Sequence, residues 1–432
     1  MADDKFDAIV VGAGPAGTSA AIVMARAGLN VALLERGEYP GAKNVQGAVL
    51  YSKMLEEIVP EFWKDCTGLE RAIVDERVFV LTDDSALQMG FKTTAFQTEP
   101  ANSYTIIRVN FDKWFAKKAE EAGVTLVTGI TVSDVIKKEK QIVGVKTTEG
   151  DELLADVVIA CDGVNSILAQ KAGLHREWKS HEVALGVKEI LALSREKIED
   201  RFCLEGDQGS TTEMIGDITK GMLGYAFMYT NKETIALGLG CAVDDFQRTN
   251  IKPYDLLEEL KRHPMIRRYI QGSTSVEYSA HLIPEGGYNV MPPLYADGML
   301  LAGDAAQMIN PTHREGSNLA MAAGRLAGET VIEAKKKGNY SAQTLSLYRK
   351  KLEDSFILKD MKDHKDIEDE VRKRREIMSI YPKMAVEAAH DYFLVDGLPK
   401  RDHTKRIIKR ALSRRSLLKM AVDGWKLRSA VI

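Results

Sequence analysis

The sequence predicts an α/β protein: a discontinuous Rossmann-like dinucleotide-binding domain, an inserted β-rich domain and a helical C-terminal region. Three observations predict it. A G-x-G-x-x-G turn, Gly12, Gly14 and Gly17, joins a β-branched strand to a helix near the N-terminus. Two more apolar strands, far apart in sequence, end in Asp162-Gly163 and Gly303-Asp304. Past Asn339 the chain becomes charged and helical in pattern.

The first element is "FDAIVVGAGPAGTSAAIVMARAGLNVALLERG". Phe6 to Val11 is short and β-branched, as a buried parallel strand should be. Gly12 permits the tight turn, Gly14 lets a backbone approach a pyrophosphate, and Gly17 allows close helix–strand packing. Pro15 and Ala16 complete the turn, and the helix it opens offers unpaired N–H groups to phosphate. Gly28 closes that helix. Val31 to Leu34 is the next strand, followed by Glu35 and Arg36. A carboxylate at position 35 can accept hydrogen bonds from both ribose hydroxyls. The glycines alone would be weak. Strand, turn, helix, strand and acid in this order make a dinucleotide site.

The segments "ERVFVLTDD" and "ALQMGFK" read as strands of a separate sheet. "SYTIIRVNFDKWFAKKAEEAGVTLVTG" returns to strand, helix and strand. "IVGVKTTEGDELLADVVIACDG" gives a hairpin and a buried strand, and residues 181 to 277 are largely β, with "GYAFMYTNKETIALGLG" as a hairpin. The dinucleotide domain is therefore expected over residues 1–60, 101–180 and 285–340. The β-rich domain takes 61–100 and 181–284, and the helical region 341–432.

Composition bounds the rest. At 432 residues two or three lobes are expected. Apolar residues at 45% and charged residues at 28% fit a globular protein with a large core. The N-terminus lacks a basic, cleavable apolar segment, and no apolar run reaches the roughly 18 residues that span a bilayer. A cytoplasmic protein is the expectation. Cys66, Cys161, Cys203 and Cys241 are scattered, which points to structural thiols in a reducing compartment and no metal site. From Lys400 to Arg428 the charge is +9, against −3 for the whole chain, and nothing in the pattern points to nucleic acid. "KRIIKRALSRRSLLKMAVDGWKL" puts Ile407, Ala411, Leu418, Val422 and Trp425 near one helical stripe. Such a basic amphipathic helix suits an anionic membrane surface or another subunit, and the membrane is favoured.

The Asp162-Gly163 and Gly303-Asp304 strand ends resemble those of the flavin-dependent hydroxylase and geranylgeranyl reductase superfamily, whose fold is of the glutathione-reductase/hydroxybenzoate-hydroxylase type. The resemblance implies FAD at both segments. Arg108 in "IIRVNFDKWF" matches the arginine that meets the cofactor in that superfamily. "GAKNVQGAVLY", "GYAFMYTNKETIALGLG" and "NPTHREGSNLAMAAGRLAGE" look like FixC-type flavoproteins, relatives of electron transfer flavoprotein:quinone oxidoreductase. The resemblance implies that Lys43, Asn44, Val45, Gln46 and Gly47 run beside the isoalloxazine ring. The helix opened by Gly316, Ser317 and Asn318 should start near the flavin pyrimidine edge, where its dipole would stabilise the reduced ring. His313 and Arg314 either reinforce that charge, meet a quinone carbonyl with His313 as proton donor, or form a local ion pair with Glu315.

The implied activity is electron transfer from a two-subunit electron transfer flavoprotein to a membrane quinone, menaquinone or ubiquinone. The implied setting is a FixABCX-like complex, peripheral on the inner face of the membrane, and in some such assemblies the electrons bifurcate from NADH between ferredoxin and quinone. The mitochondrial relative carries cysteine ligands for a 4Fe–4S cluster, but no cysteine follows Cys241 here. A separate small ferredoxin-like subunit is therefore expected. Two alternatives stand beside this reading. One is a geranylgeranyl-reductase-like enzyme, disfavoured because "AFMYTN" replaces that group's Trp-x-Phe-Pro-Lys-like segment. The other is a flavin-bearing assembly subunit that does not meet quinone. Tyr225, Phe227 and Tyr229 line a prenyl channel or simply cover a sheet.

Overall fold

The computed structural model describes residues 5–44, 47–313 and 315–431, which fall into two compact units. The first comprises residues up to Leu69, Asn102–Glu182 and Ile283–Asp363. Its sheet has the order Tyr295–Ala296, Met299–Leu301, Glu152–Ala160, Phe6–Val11, Val31–Glu35, Thr125–Thr128. The four contacts from Met299–Leu301 to Thr125–Thr128 are parallel. Residues 8–11, 31–34 and 157–160 of these strands are buried runs of Val, Ile, Leu and Ala, as central parallel strands are. Ile9, Val10, Leu33, Val158 and Leu300 are fully buried. The chain order reverses between Phe6–Val11 and Glu152–Ala160, so a crevice opens at the carboxyl ends of those two strands. The register aligns Val11 with Leu34 and Ala160, and Ala160 with Leu301. Three strand ends separated by most of the chain therefore finish side by side.

Two helices lie back to back beside that edge, Pro15–Arg26 and Ser317–Lys337. Their close approach needs small residues. A Cβ on Gly324 would sit 2.0 Å from the Ala16 carbonyl oxygen, and one on Gly328 2.9 Å from that of Ala20. The hairpin Gly47–Tyr51 with Ser103–Ile107 also belongs to this unit.

The second unit comprises Glu70–Ala101, Val183–Leu282 and the chain from His364 onward. Five of its strands follow the order Val183–Ala192, Thr234–Ala242, Gly224–Thr230, Gln208–Gly216, Leu69–Leu81. One face forms the core, with Phe79, Met214, Met228, Leu237 and Leu239 packed under Phe202, Leu256 and Leu260. The opposite face carries Tyr225, Phe227 and Tyr229, all half-buried, because alternate residues of one strand share a side.

The helical region expected over 341–432 does not stand alone: residues 341–363 pack with the first unit and 364–432 with the second. The single helical stripe expected in the tail is also corrected. Helix Lys400–Arg414 ends before Leu417–Val431 begins, because Arg415 is extended. Helical periodicity gives the spacing of apolar residues but not the break, which is fixed by Arg415 turning inward to Asp423 and Glu376.

Candidate functional site: a cradle at the carboxyl edge of the parallel sheet

Gly12 has φ +103°, and a Cβ there would lie 2.2 Å from the Cys161 carbonyl oxygen. Gly17 is pressed against the Gly12 carbonyl oxygen, which a Cβ would meet at 2.0 Å. Gly14 differs. It has extended backbone, φ −82° and ψ −175°, and a Cβ on it would touch no protein atom within 4 Å. The fold needs glycine at 12 and 17, and only something outside the protein needs it at 14. Pro15 occupies the first helical position, and Ala16 is buried where the long helix crosses.

Glu35 folds back onto this turn. Its two carboxylate oxygens accept from Ala13 N–H at 3.0 Å and Gly37 N–H at 2.8 Å. Arg36 is exposed and its charge bears on Asp162. Asp162 accepts from Leu168 N–H at 3.0 Å through Oδ2, while Oδ1 is buried without a partner among the described residues. Gly163, with φ +71°, lets the chain turn there. Ser166 donates to the Ala305 carbonyl at 2.8 Å and so ties this strand end to the Gly303–Ala306 turn. Gly303 has φ +68°, with Ala16 3.0 Å from the position of an added Cβ. Asp304 lies deep among protein atoms but keeps part of its surface open, and Arg108 is the cation that acts on it.

Arg108 opens helix Arg108–Glu121 and is held by Asp112, a partner the motif reading did not include. The signal was present: an acid four residues on, one helical turn away. Gln307 and Asn310 stand in no motif: Gln307 acts through a contact distant in sequence, and Asn310 through contacts within its own loop. Gln307 Oε1 accepts from Gly286 N–H at 3.0 Å, and Asn310 pairs backbone-to-backbone with Glu315 to close the "NPTHREG" loop. His313 is exposed on that loop, and its N–H donates to Asn310 Oδ1 at 3.3 Å. Gly316 precedes helix Ser317–Lys337, and Asn318 Nδ2 donates to Glu315 at 2.9 Å while its buried Oδ1 has no partner among the described residues. Lys43 is exposed and Asn44 half-buried, in a turn against the start of the Arg108 helix. Gly47 begins a strand. Val45, Gln46 and Arg314 lie outside the described residues.

The donor set fits a dinucleotide: an open glycine at a helix N-terminus, two buried carbonyl-type oxygens without partners, and an arginine beside an open carboxylate. Burial pushes the carboxyls of Asp112, Asp162 and Asp304 above the usual range, with Arg108 opposing this at Asp112 and Asp304, and Leu168 N–H the first opposing group at Asp162. A raised folded pKa means the folded apo-protein keeps protons that the unfolded chain has released. This contribution to stability is full below the ordinary value of 3.8 and declines as pH rises through the raised one. Asp304→Asn is therefore expected to raise the apo-protein melting temperature at neutral pH by roughly 2–4 °C, with no gain below about pH 4. A gain of equal size at every pH would contradict this.

Comparison with known proteins gives matches to family models, to relatives and to solved structures. The FAD binding domain family matches residues 5–228. The ubiquinone-binding domain family of ETF-QO matches 183–283, and the C-terminal domain of the ETF-QO/FixC family matches 370–432. The chain is 46% identical to Protein FixC of Azorhizobium caulinodans over 99% of both chains, and 41% identical to that of Escherichia coli K12, also over 99% of both. Among solved structures, a geranylgeranyl bacteriochlorophyll reductase-like protein from Thermoplasma acidophilum superposes with TM-score 0.74 at 19% identity, over 97% of this chain and 99% of that one. The flavin-dependent brominase Bmp2 gives 0.65 at 17% identity, over 95% and 100%. These last two likenesses establish the fold.

Proposed function

The chain belongs to the ETF-QO/FixC family of FAD-dependent oxidoreductases, and from that membership we propose that it passes electrons from a two-subunit electron transfer flavoprotein to a membrane quinone. The observation that carries this reading is where the ubiquinone-binding match falls. Residues 183–283 include the sheet face bearing Tyr225, Phe227 and Tyr229. Opposite Phe227 and Tyr225 stand Gly238 and Gly240, and opposite Gly240 stands Gly186. The Phe227 ring lies over Gly238 and Tyr225 stands opposite Gly240, so this face offers an aromatic surface to a quinone ring, with Lys188 and Glu213 in neighbouring register positions.

When bound, FAD accepts two electrons together and releases them singly. The residues around it bind and orient. Gly14 and the first-turn N–H groups of Pro15–Arg26 take the pyrophosphate, and Glu35 takes the adenosine ribose. Arg108, Asp162, Gly163, Gly303 and Asp304 hold the pyrophosphate and ribityl region. By the family resemblance Lys43, Asn44 and Gly47 would lie beside the ring. Gly316, Ser317 and Asn318 bring a helix N-terminus to the pyrimidine edge, where its dipole stabilises negative charge. His313 and Arg314 are the candidate polar contacts to the quinone carbonyl or the reduced ring.

The partners follow from what the chain lacks and what it exposes. With no cysteine after Cys241, electrons reach the flavin through a small ferredoxin-like subunit in a FixABCX-like complex. Oxidation of NADH with ferredoxin and quinone as the two acceptors is the bifurcating form of the same reading. Turnover from reduced electron transfer flavoprotein to a short-chain quinone is expected only when the FAD-loaded chain and that subunit are both present. Full-rate turnover without the subunit would remove it from the assignment.

The contact with a membrane on its inner face is proposed for the C-terminal helices, which are polar inside and apolar outside. Asp423 and Asp391 are buried against arginines, while Phe393 is 75% and Trp425 63% exposed. No described helix is long and apolar enough to cross a bilayer. Deleting residues 404–432 is expected to abolish flotation with anionic liposomes. Equal flotation with and without the segment would exclude it as the anchor.

A further inference from the structure

Arg108 and Asp112 form a buried pair whose geometry carries a prediction of its own, resting on the reading that FAD's pyrophosphate lies beside Arg108. Arg108 is 5% exposed and Asp112 2%. Nε and Nη2 each donate to a different oxygen of Asp112, both at 2.9 Å. Two parallel bonds fix the plane of a guanidinium as well as its place. Gly41 packs beside the first turn of this helix: a Cβ there would lie 3.1 Å from the Arg108 carbonyl oxygen and 3.1 Å from Asp112 Cβ. Beyond the pair stand two more carboxylates, Glu35 acting on Asp112 and Asp304 acting with Arg108.

An arginine meant only to attract a dianionic pyrophosphate would be left without an acid beside it. Asp112 cancels most of its charge, in a place already rich in carboxylates. What Asp112 provides is orientation. We propose that Asp112 is a positioning residue of the cofactor site, which fixes the Arg108 guanidinium edge-on to the pyrophosphate and ribityl oxygens of FAD at the cost of its net charge.

The sign of one substitution separates this from the simpler electrostatic view. Asp112→Asn makes the site more positive by one charge. If charge governs, FAD binds tighter. If orientation governs, FAD binds at least about tenfold weaker, because a bidentate charge-assisted clamp becomes a single bond. Asp112→Glu keeps the charge but moves the carboxylate by one methylene relative to Arg108, and it too should weaken FAD several-fold. The readouts are the FAD dissociation constant, titrated into apo-protein shown to be folded, and the apo-protein melting temperature. Weaker FAD in both variants supports the proposal. Unchanged or tighter FAD in both overturns it, including the case where only the melting temperature falls and Asp112 is merely structural. Arg108→Ala is the control on the underlying reading. If it leaves FAD affinity untouched, Arg108 is not at the cofactor, and the reading fails together with the proposal. If it weakens FAD while the Asp112 variants do not, the proposal alone fails.

Discussion

Gly14→Val is expected to leave the apo-protein folded and to reduce FAD affinity by more than about 100-fold. No protein atom lies within 4 Å of the added Cβ, and the backbone at Gly14 is in a region any residue adopts. The side chain would therefore enter only the space reserved for the pyrophosphate. Gly12→Ala makes the contrast. Its Cβ would strike the Cys161 carbonyl oxygen from a left-handed backbone, so both folding and flavin content should fall. Flavin titration and thermal melting of the two variants separate cofactor from fold. A Gly14→Val protein that binds FAD like the wild type would place the pyrophosphate elsewhere.

The second large effect is expected at Gly240. A Cβ there meets its nearest neighbours at 3.6 to 4.0 Å, which is ordinary contact, so a side chain can start from this position without a backbone clash. Strands favour a side chain over glycine, and stability should hold or rise slightly. The new side chain would stand opposite Tyr225. Gly240→Leu should raise the quinone KM about tenfold or more while flavin content stays full. Steady-state kinetics with a short-chain quinone check it. An unchanged KM would move the quinone off this face.

Much of the geometry of the candidate site was legible because its strand ends are written into local motifs. Gly12-x-Gly14-x-x-Gly17, Asp162-Gly163 and Gly303-Asp304 each end an apolar strand, and parallel pairing brings such ends together. What was not legible depends on partners distant in sequence. Helical periodicity says which face of a segment is apolar but not what that face meets. Residues 341–363 and 364–432 therefore looked alike, yet they join different units. The same limit hid the arginines around two acids of the last helices, Arg410 at Asp391 and Arg374 and Arg415 at Asp423. His313 was named from its sequence neighbourhood, and the fold places it exposed on the loop with its N–H on Asn310 Oδ1.

The central claim is that FAD held at this sheet edge delivers its electrons to quinone. The most direct measurement is anaerobic stopped flow: the FAD-loaded chain is reduced chemically, mixed with a short-chain quinone, and followed by flavin absorbance. The account predicts rapid reoxidation with one quinol formed per FAD, slowed in Gly240→Leu. Flavin that stays reduced in the presence of quinone, yet reoxidises with a small soluble acceptor, would contradict it.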